Sequence, residues 1–144
     1  MTICATCPHE KKHRSLQDHR RLMGIISAAF DQWPEGHNFR PNDAEHLRAW
    51  LICKAGPEFR TVTTFEVSEA DAALREQISE IVRGRNTFPG WHGSVLYKVE
   101  PKSMSFSKMG QREFVRLREA IEEVIEAEIG VPAGQLLKEA EHAA

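Results

Sequence analysis

Apolar side chains recur at three- and four-residue steps through Leu16, Met23, Ile26, Phe30 and Trp33, the spacing of one buried helical face. Ser15 followed by Asp18 has the spacing of a capping box, which predicts a helix beginning at Ser15, and Pro34 with Gly36 stops it. Asn42 with Glu45 repeats that spacing. A second helix is expected from about residue 43, with Ala44, Leu47, Trp50 and Leu51 as its stripe and Gly56-Pro57 as its end. The period then changes to two. Phe59, Thr61, Thr63, Phe65 and Val67 alternate through a segment rich in β-branched residues and predict a strand. Ser68 with Asp71 opens a third helix that buries Leu74, Ile78, Ile81 and Val82 and closes at Gly84. Val95, Tyr97 and Val99 mark a second strand and Ser103 to Ser107 a third, with a turn at Glu100-Pro101-Lys102. A long helix follows from about Gln111 to Ile129, with Phe114, Leu117, Ile121, Val124 and Ile125 inside. Gly130 and Pro132 break it. Leu136 and Leu137 then form one side of a short terminal helix that docks on the body or on a second copy.

These elements predict an α+β fold: four to five helices packed on a small, mostly antiparallel sheet of about three strands. The organisation expected is a flexible arm over residues 1–13, one domain over 14–130 and a short helical tail over 131–144. The first two helices form a hairpin, with Trp33 and Trp50 in or near a shared core.

Composition changes little in this picture. The chain has 144 residues, 41% apolar and 28% charged, enough for one domain with a real core. No apolar run approaches the roughly 20 residues of a membrane helix, and the N-terminus has no secretory pattern, so a cytoplasmic protein is expected. Three cysteines argue against a disulfide framework. Charge changes more. The net charge of −2 hides segregation: residues 11–21 carry five cations and one anion, and residues 110–144 carry four cations and eight anions. This pattern fits a basic surface on an acidic body as well as it fits ordinary solvated faces, and it excludes a uniformly basic duplex-binding domain.

The candidate chemistry lies in three places. Lys11, Lys12, Arg14, Arg20 and Arg21 crowd the expected helix start, where exposed amides and guanidinium groups together make a phosphate seat. The segment Arg83 to Gly93 has two arginines, Phe88, Trp91 and His92 with no apolar period, and reads as a loop. Arginines beside exposed aromatics suit single-stranded nucleic acid, phosphates meeting Arg83 and Arg85 while bases stack on Phe88 and Trp91. A loop in which Trp91 caps the sheet is the structural alternative. Lys102 adds a further phosphate contact. Third, Cys4 and Cys7 form half of a zinc knuckle to which His9 and His13 add ligand atoms, but a zinc site would need Cys53 or other histidines to complete it; two reduced thiols on a loose arm are the simpler reading. No cofactor is otherwise expected. No catalytic site is predicted, since Asp18, His19, Asp31, Glu45, His46 and Glu66 have no spacing that converges on a metal or a nucleophile.

The wording Arg14-Ser-Leu-Gln-Asp-His-Arg-Arg-Leu22, with an aromatic at the helix end, resembles the opening of small phage recombination proteins of the NinB (Orf) type. Pro101-Lys-Ser-Met-Ser-Phe-Ser-Lys-Met-Gly-Gln-Arg-Glu-Phe114 resembles the strand-to-helix junction of a related group of uncharacterised phage and prophage proteins. The two stretches cover roughly a third of the chain; the middle departs from the NinB pattern. The resemblance implies a non-enzymatic recombination or replication accessory protein in a bacterial host cell. It would bind single-stranded DNA, work with single-strand-binding protein and form homodimers. A different class of function remains open beside it: a protein-interaction module, such as a phage inhibitor of a host or defence protein, acting through Glu119, Glu122, Glu123 and Glu126. A zinc-binding or metal-dependent enzyme is the third.

Overall fold

The computed structural model describes the backbone of residues 8–104 and 109–143, and the side chains of 16–104 and 109–139. Helix α1 spans Pro8–Asp31 and so begins well before Ser15. Proline is at home in a first helical turn, where its missing N–H costs nothing. Residues 8–13 therefore continue the helix instead of forming part of an arm, and Ser15 is not a cap. The buried face also differs from the expected one. Leu22, Ile25, Ile26, Ala28 and Ala29 are inside, Met23, Phe30 and Trp33 pack along the flank, and Leu16 is 42% exposed.

Helix α2, Ala44–Ala55, is capped by Asp43, whose carboxylate accepts from the His46 N–H at 2.8 Å. Asn42 is one residue too early for that bond. Apolar positions surround much of α2, and Leu47, Ala49, Leu51, Ile52 and Cys53 are all buried because the helix lies between the other helices and the sheet. A 3-10 turn, Pro57–Phe59, then feeds strand β1, Arg60–Glu66. Helix α3, Ala72–Val82, is capped by Asp71, not Ser68, through a 2.8 Å bond from the Leu74 N–H. Among the described residues its only substantial packing is on the next strand. Leu74 is accordingly 44% and Ile81 83% exposed, against the expectation that both are buried. Asp71→Ala should cost about 1 kcal/mol of α3 stability. Hydrogen exchange will read this as faster exchange confined to Ala72–Val82, with the other helices unchanged.

The remaining strands correct two expectations. Strand β2 is Phe88–His92, inside the segment expected to be a loop, and β3 is Val95–Pro101, taking in the first two residues of the expected turn at residues 100–102. Ser103 and Met104 lie outside any strand, and residues 105–107 of the expected third strand fall outside the described residues. The sheet order is β1-β3-β2, all antiparallel. Gly93 at φ +61 and Ser94 make the two-residue β2–β3 turn, and glycine supplies the left-handed position that type II′ geometry requires. Gly90 faces Tyr97 across the same ladder, and a Cβ there would stand 2.3 Å from the phenol ring, so the ring lies directly over the glycine.

Helix α4, Gln111–Ile129, buries Phe114, Leu117, Ile121 and Ile125. Gly130, left-handed at φ 86, ends it by donating its N–H to the Glu126 carbonyl at 2.8 Å. Helix α5, Ala133–Ala143, turns back along α1 with Leu136 fully buried and Leu137 packed against the core. The leucine pair thus docks on the body. Among the described residues the result is an α+β fold of five α-helices and a three-stranded sheet. Its core lies among α1, α2, α4 and α5, and the sheet lies to one side of that bundle. Among the described residues, no helix is long and apolar enough to cross a membrane.

Candidate functional site

The most chemically distinctive surface is an aromatic cluster where the loop after α1, the start of α2 and strand β2 meet. Trp33 Nε1 donates to the Phe39 carbonyl at 2.8 Å and ties the loop back to the helix end. His37 accepts from the Phe39 N–H through Nδ1 at 3.0 Å, which leaves Nε2 to donate to Glu128 at 2.5 Å. Thus fixed, Phe39 stacks on Trp50 with ring centres 4.8 Å apart and planes 5° from parallel, and His46 stacks on Phe88 at 5.7 Å and 5°. Edge contacts between Trp33 and Trp50 and between Phe39 and Phe88 bind the two stacks together.

Two hollows open against this cluster. One, of about 400 Å³, is lined by Asn38, Phe39, Arg40, His46, Trp50, Arg83, Phe88 and Pro89. The other, of about 430 Å³, shares Trp50, Phe88 and Pro89 and continues over the sheet past Lys54, Arg60, Val62, Tyr97 and Val99. Cys53 lies in its wall, and burial pushes the thiol up to about 11, which keeps it a thiol and not a reactive thiolate. Cations rim both hollows. Arg83 is bonded to Glu80, and Arg85 to Asp43, through exposed pairs that a competing anion can exchange at little cost.

Asp43 is held below the ordinary carboxylate value, chiefly by the N-cap bond from the His46 N–H and then by Arg85. His46 is held below its usual 6.5, first by burial and then by Arg85, with Asp43 opposing. The unfolded chain therefore takes up the His46 proton first as pH falls, so this histidine subtracts stability below about 6.5, down through its folded value. His46→Gln should flatten that part of the stability profile. Urea midpoints compared with the parent on either side of pH 6.5 will show it.

The expected site residues are only partly brought together. Arg83 and Phe88 line the first hollow; Arg85 does not, and pairs with Asp43 at the start of α2. Trp91 is excluded. Cross-strand register places Phe88 with Val99, and Trp91 with Leu96, on opposite faces of the sheet. Trp91 instead donates to Ser79 Oγ at 2.9 Å and carries the Arg75 guanidinium over its ring, packing α3 onto the sheet. Lys102 lines a third hollow of about 360 Å³ with His19, Arg48 and Asn86. Arg20 is exposed on α1, while Arg21 approaches Glu122 at 3.8 Å. Neither stands at a helix N-terminus, because α1 begins at Pro8. The helix-end phosphate seat is therefore not formed by these two. The side chains of Lys11, Lys12 and Arg14 lie outside the described residues, as do Cys4 and Cys7 and the side chains of His9 and His13.

Among the described residues, no group of three His, Cys, Asp or Glu side chains could hold a metal ion. On α4, Glu119, Glu123 and Glu126 form one exposed stripe, whereas Glu122 turns to Arg118 and Arg21 on the flank. The contributions of Phe39, Arg40, His46, Lys54, Arg60 and Tyr97 were not anticipated. The aromatic-arginine pair Phe39-Arg40 beside Pro41 was the available signal for two of them. Searches of protein-family models, of curated proteins and of solved structures find no match to this chain.

Proposed function

We propose that this chain is a single-stranded-DNA-binding accessory protein of the phage recombination or replication type, engaging the strand along the two aromatic hollows. The observation that carries the reading is the meeting of those hollows at Phe88, with aromatic surface on the floor and Arg40, Arg83, Lys54 and Arg60 at the rim. Bases stack on exposed π-faces without regard to sequence, while guanidinium and ammonium groups track the backbone. Lys54 already sits 5.3 Å from the Trp50 ring centre, so cation and ring occupy one patch. The wording at Arg14–Leu22 and Pro101–Phe114 supports the same class of function, with single-strand-binding protein as a further partner. Arg20 and Arg21 line neither hollow, and Trp91 lies on the opposite face of the sheet.

Fluorescence anisotropy of a labelled oligo-dT, with a duplex of equal length as control, tests this. The expected result is preferential single-strand binding that weakens as salt rises. Absence of binding even at low salt overturns it. A second reading is supported by the Glu119–Glu123–Glu126 stripe, which carries no ion pair among the described residues and would suit a basic protein partner. Charge reversal there should then abolish activity while leaving oligo-dT binding intact.

A further inference from the structure

Strand β1 forms one edge of the sheet, and its outer side has no neighbouring strand among the described residues. Val62 on one face of it is 48% exposed and Phe65 on the other is 44% exposed. Free edges present unpaired N–H and C=O groups, and proteins ordinarily blunt them with lysine, proline or a bulge. Between its charged ends β1 carries none of these: it reads Thr61-Val-Thr-Thr-Phe65. We propose that β1 pairs with β1 of a second copy of this chain, antiparallel about a two-fold axis at Thr63. The two sheets then join into one.

Hydrogen-bond phase is the first argument. The Val67 N–H donates to the Ser94 carbonyl at 2.8 Å and the Lys102 N–H to the Phe59 carbonyl at 2.9 Å. Odd-numbered residues of β1 therefore point their backbone groups at β3, and Val62, Thr64 and Glu66 point theirs at the open edge. Pairing about Thr63 sets Val62 opposite Thr64 of the second copy, so outward groups meet outward groups. The Arg60 N–H is already bonded to the Pro57 carbonyl, so at the ladder's end Arg60 offers its carbonyl to the Glu66 N–H.

Charge is the second argument. The same register places Arg60 opposite Glu66 of the second copy, and Glu66 opposite Arg60, giving opposite-charge pairs at both ends of the strand. Their existing bonds, Arg60 to the Cys53 carbonyl at 2.9 Å and Ser94 Oγ to Glu66 at 2.7 Å, leave further donor and acceptor atoms on each. On the other face Thr61 meets Phe65, a β-branched–aromatic pair that covers the exposed ring. Moving the axis to Thr61 or Phe65 keeps the phase but removes both charge pairs and shortens the ladder. Every contact off the axis is made twice, as a two-fold interface demands.

The test uses the full chain without nucleic acid, so its outcome is separate from that of the DNA-binding reading. Light scattering should give the mass of a dimer. Glu66→Arg, which sets arginine against Arg60, should weaken association by about tenfold or more, and the double variant R60E/E66R should restore it. Thr63→Cys should cross-link across the axis on mild oxidation, above the parent's background, because directly opposed residues of that pair lie within disulfide reach. Thr61→Cys, opposite Phe65, should not. A monomer at every concentration reached overturns the proposal. So does a dimer indifferent to Glu66→Arg, or one that cross-links at residue 61 as readily as at residue 63. Circular dichroism of each variant confirms that the fold is retained.

Discussion

Phe88→Ala should weaken oligo-dT binding by about 5- to 150-fold, the loss of one stacked base at about 1–3 kcal/mol. Phe88 lines both hollows and stacks on His46, so its removal takes away the surface the two share. The strand itself should persist, since the β2–β3 ladder is made by backbone groups and Trp91 still anchors α3. Arg83→Ala with Arg85→Ala should act differently, weakening binding to all sequences alike. For every phosphate left without its arginine, the slope of log affinity against log salt should become shallower by about 0.7. The control is Trp91→Ala, which breaks the Ser79 bond on the opposite face and should loosen α3 while sparing the DNA-facing surface. Anisotropy titrations at several salt concentrations separate these outcomes. An Arg83/Arg85 variant with an unchanged salt slope would remove those residues from the interface.

Phe114→Ala should be among the most destabilising single changes in the chain, at about 3–5 kcal/mol, against a total that for domains of this size is on the order of 5–15 kcal/mol. Phe114 is 2% exposed in the first turn of α4 and belongs to the cluster where α1, α2, α4 and α5 converge. Truncation there leaves a cavity that four helices would have to move to fill. A drop in melting temperature on the order of 10 °C is expected. Ile81→Ala also truncates a large apolar side chain, but Ile81 is 83% exposed, so the change should stay within about 0.5 kcal/mol. Thermal or urea melts of the two variants measure the difference directly.

That contrast marks where periodicity is legible and where it is not. On α4 the three-four spacing reports the buried face correctly, because a thick core covers the whole length of the helix. On α3 the same spacing at Leu74, Ile78 and Ile81 misleads, because among the described residues the helix packs substantially on β2 alone and its outer side stays exposed. Capping boxes behave similarly. Ser15, Asn42 and Ser68 each satisfy the pattern, yet the caps are Asp43 and Asp71, one residue after the second box's start and at the end of the third. Short polar residues placed together offer several acceptors, and tertiary packing chooses among them.

Strand β2 was obscured by Pro89 and Gly90, both poor strand formers. Pro89 is tolerated because β2 is an edge strand, and Gly90 because the Tyr97 ring covers it. Gly93-Ser94 between Trp91-His92 and Val95-Leu96 was nonetheless a readable hairpin turn. The candidate site was legible at Arg83, Arg85 and Phe88. Its other half, on the Phe39 loop and α2, depends on Trp33 and His37 holding that loop against Trp50, a contact between segments that no local spacing encodes.

The docking of α5 along α1 also shapes how the chain must be made. A Cβ at Gly24 would lie 3.2 Å from Leu137, and Gln32 donates to Glu139, so the earliest helix takes part of its cover from the last. A ribosome delivers these segments more than a hundred residues apart, and although α2 and α4 reach α1 earlier, the part of its surface that α5 covers stays open until α5 emerges. During that interval the nascent chain offers chaperones that open surface. A stalled product lacking α5 should be cleared by proteases faster than the full chain.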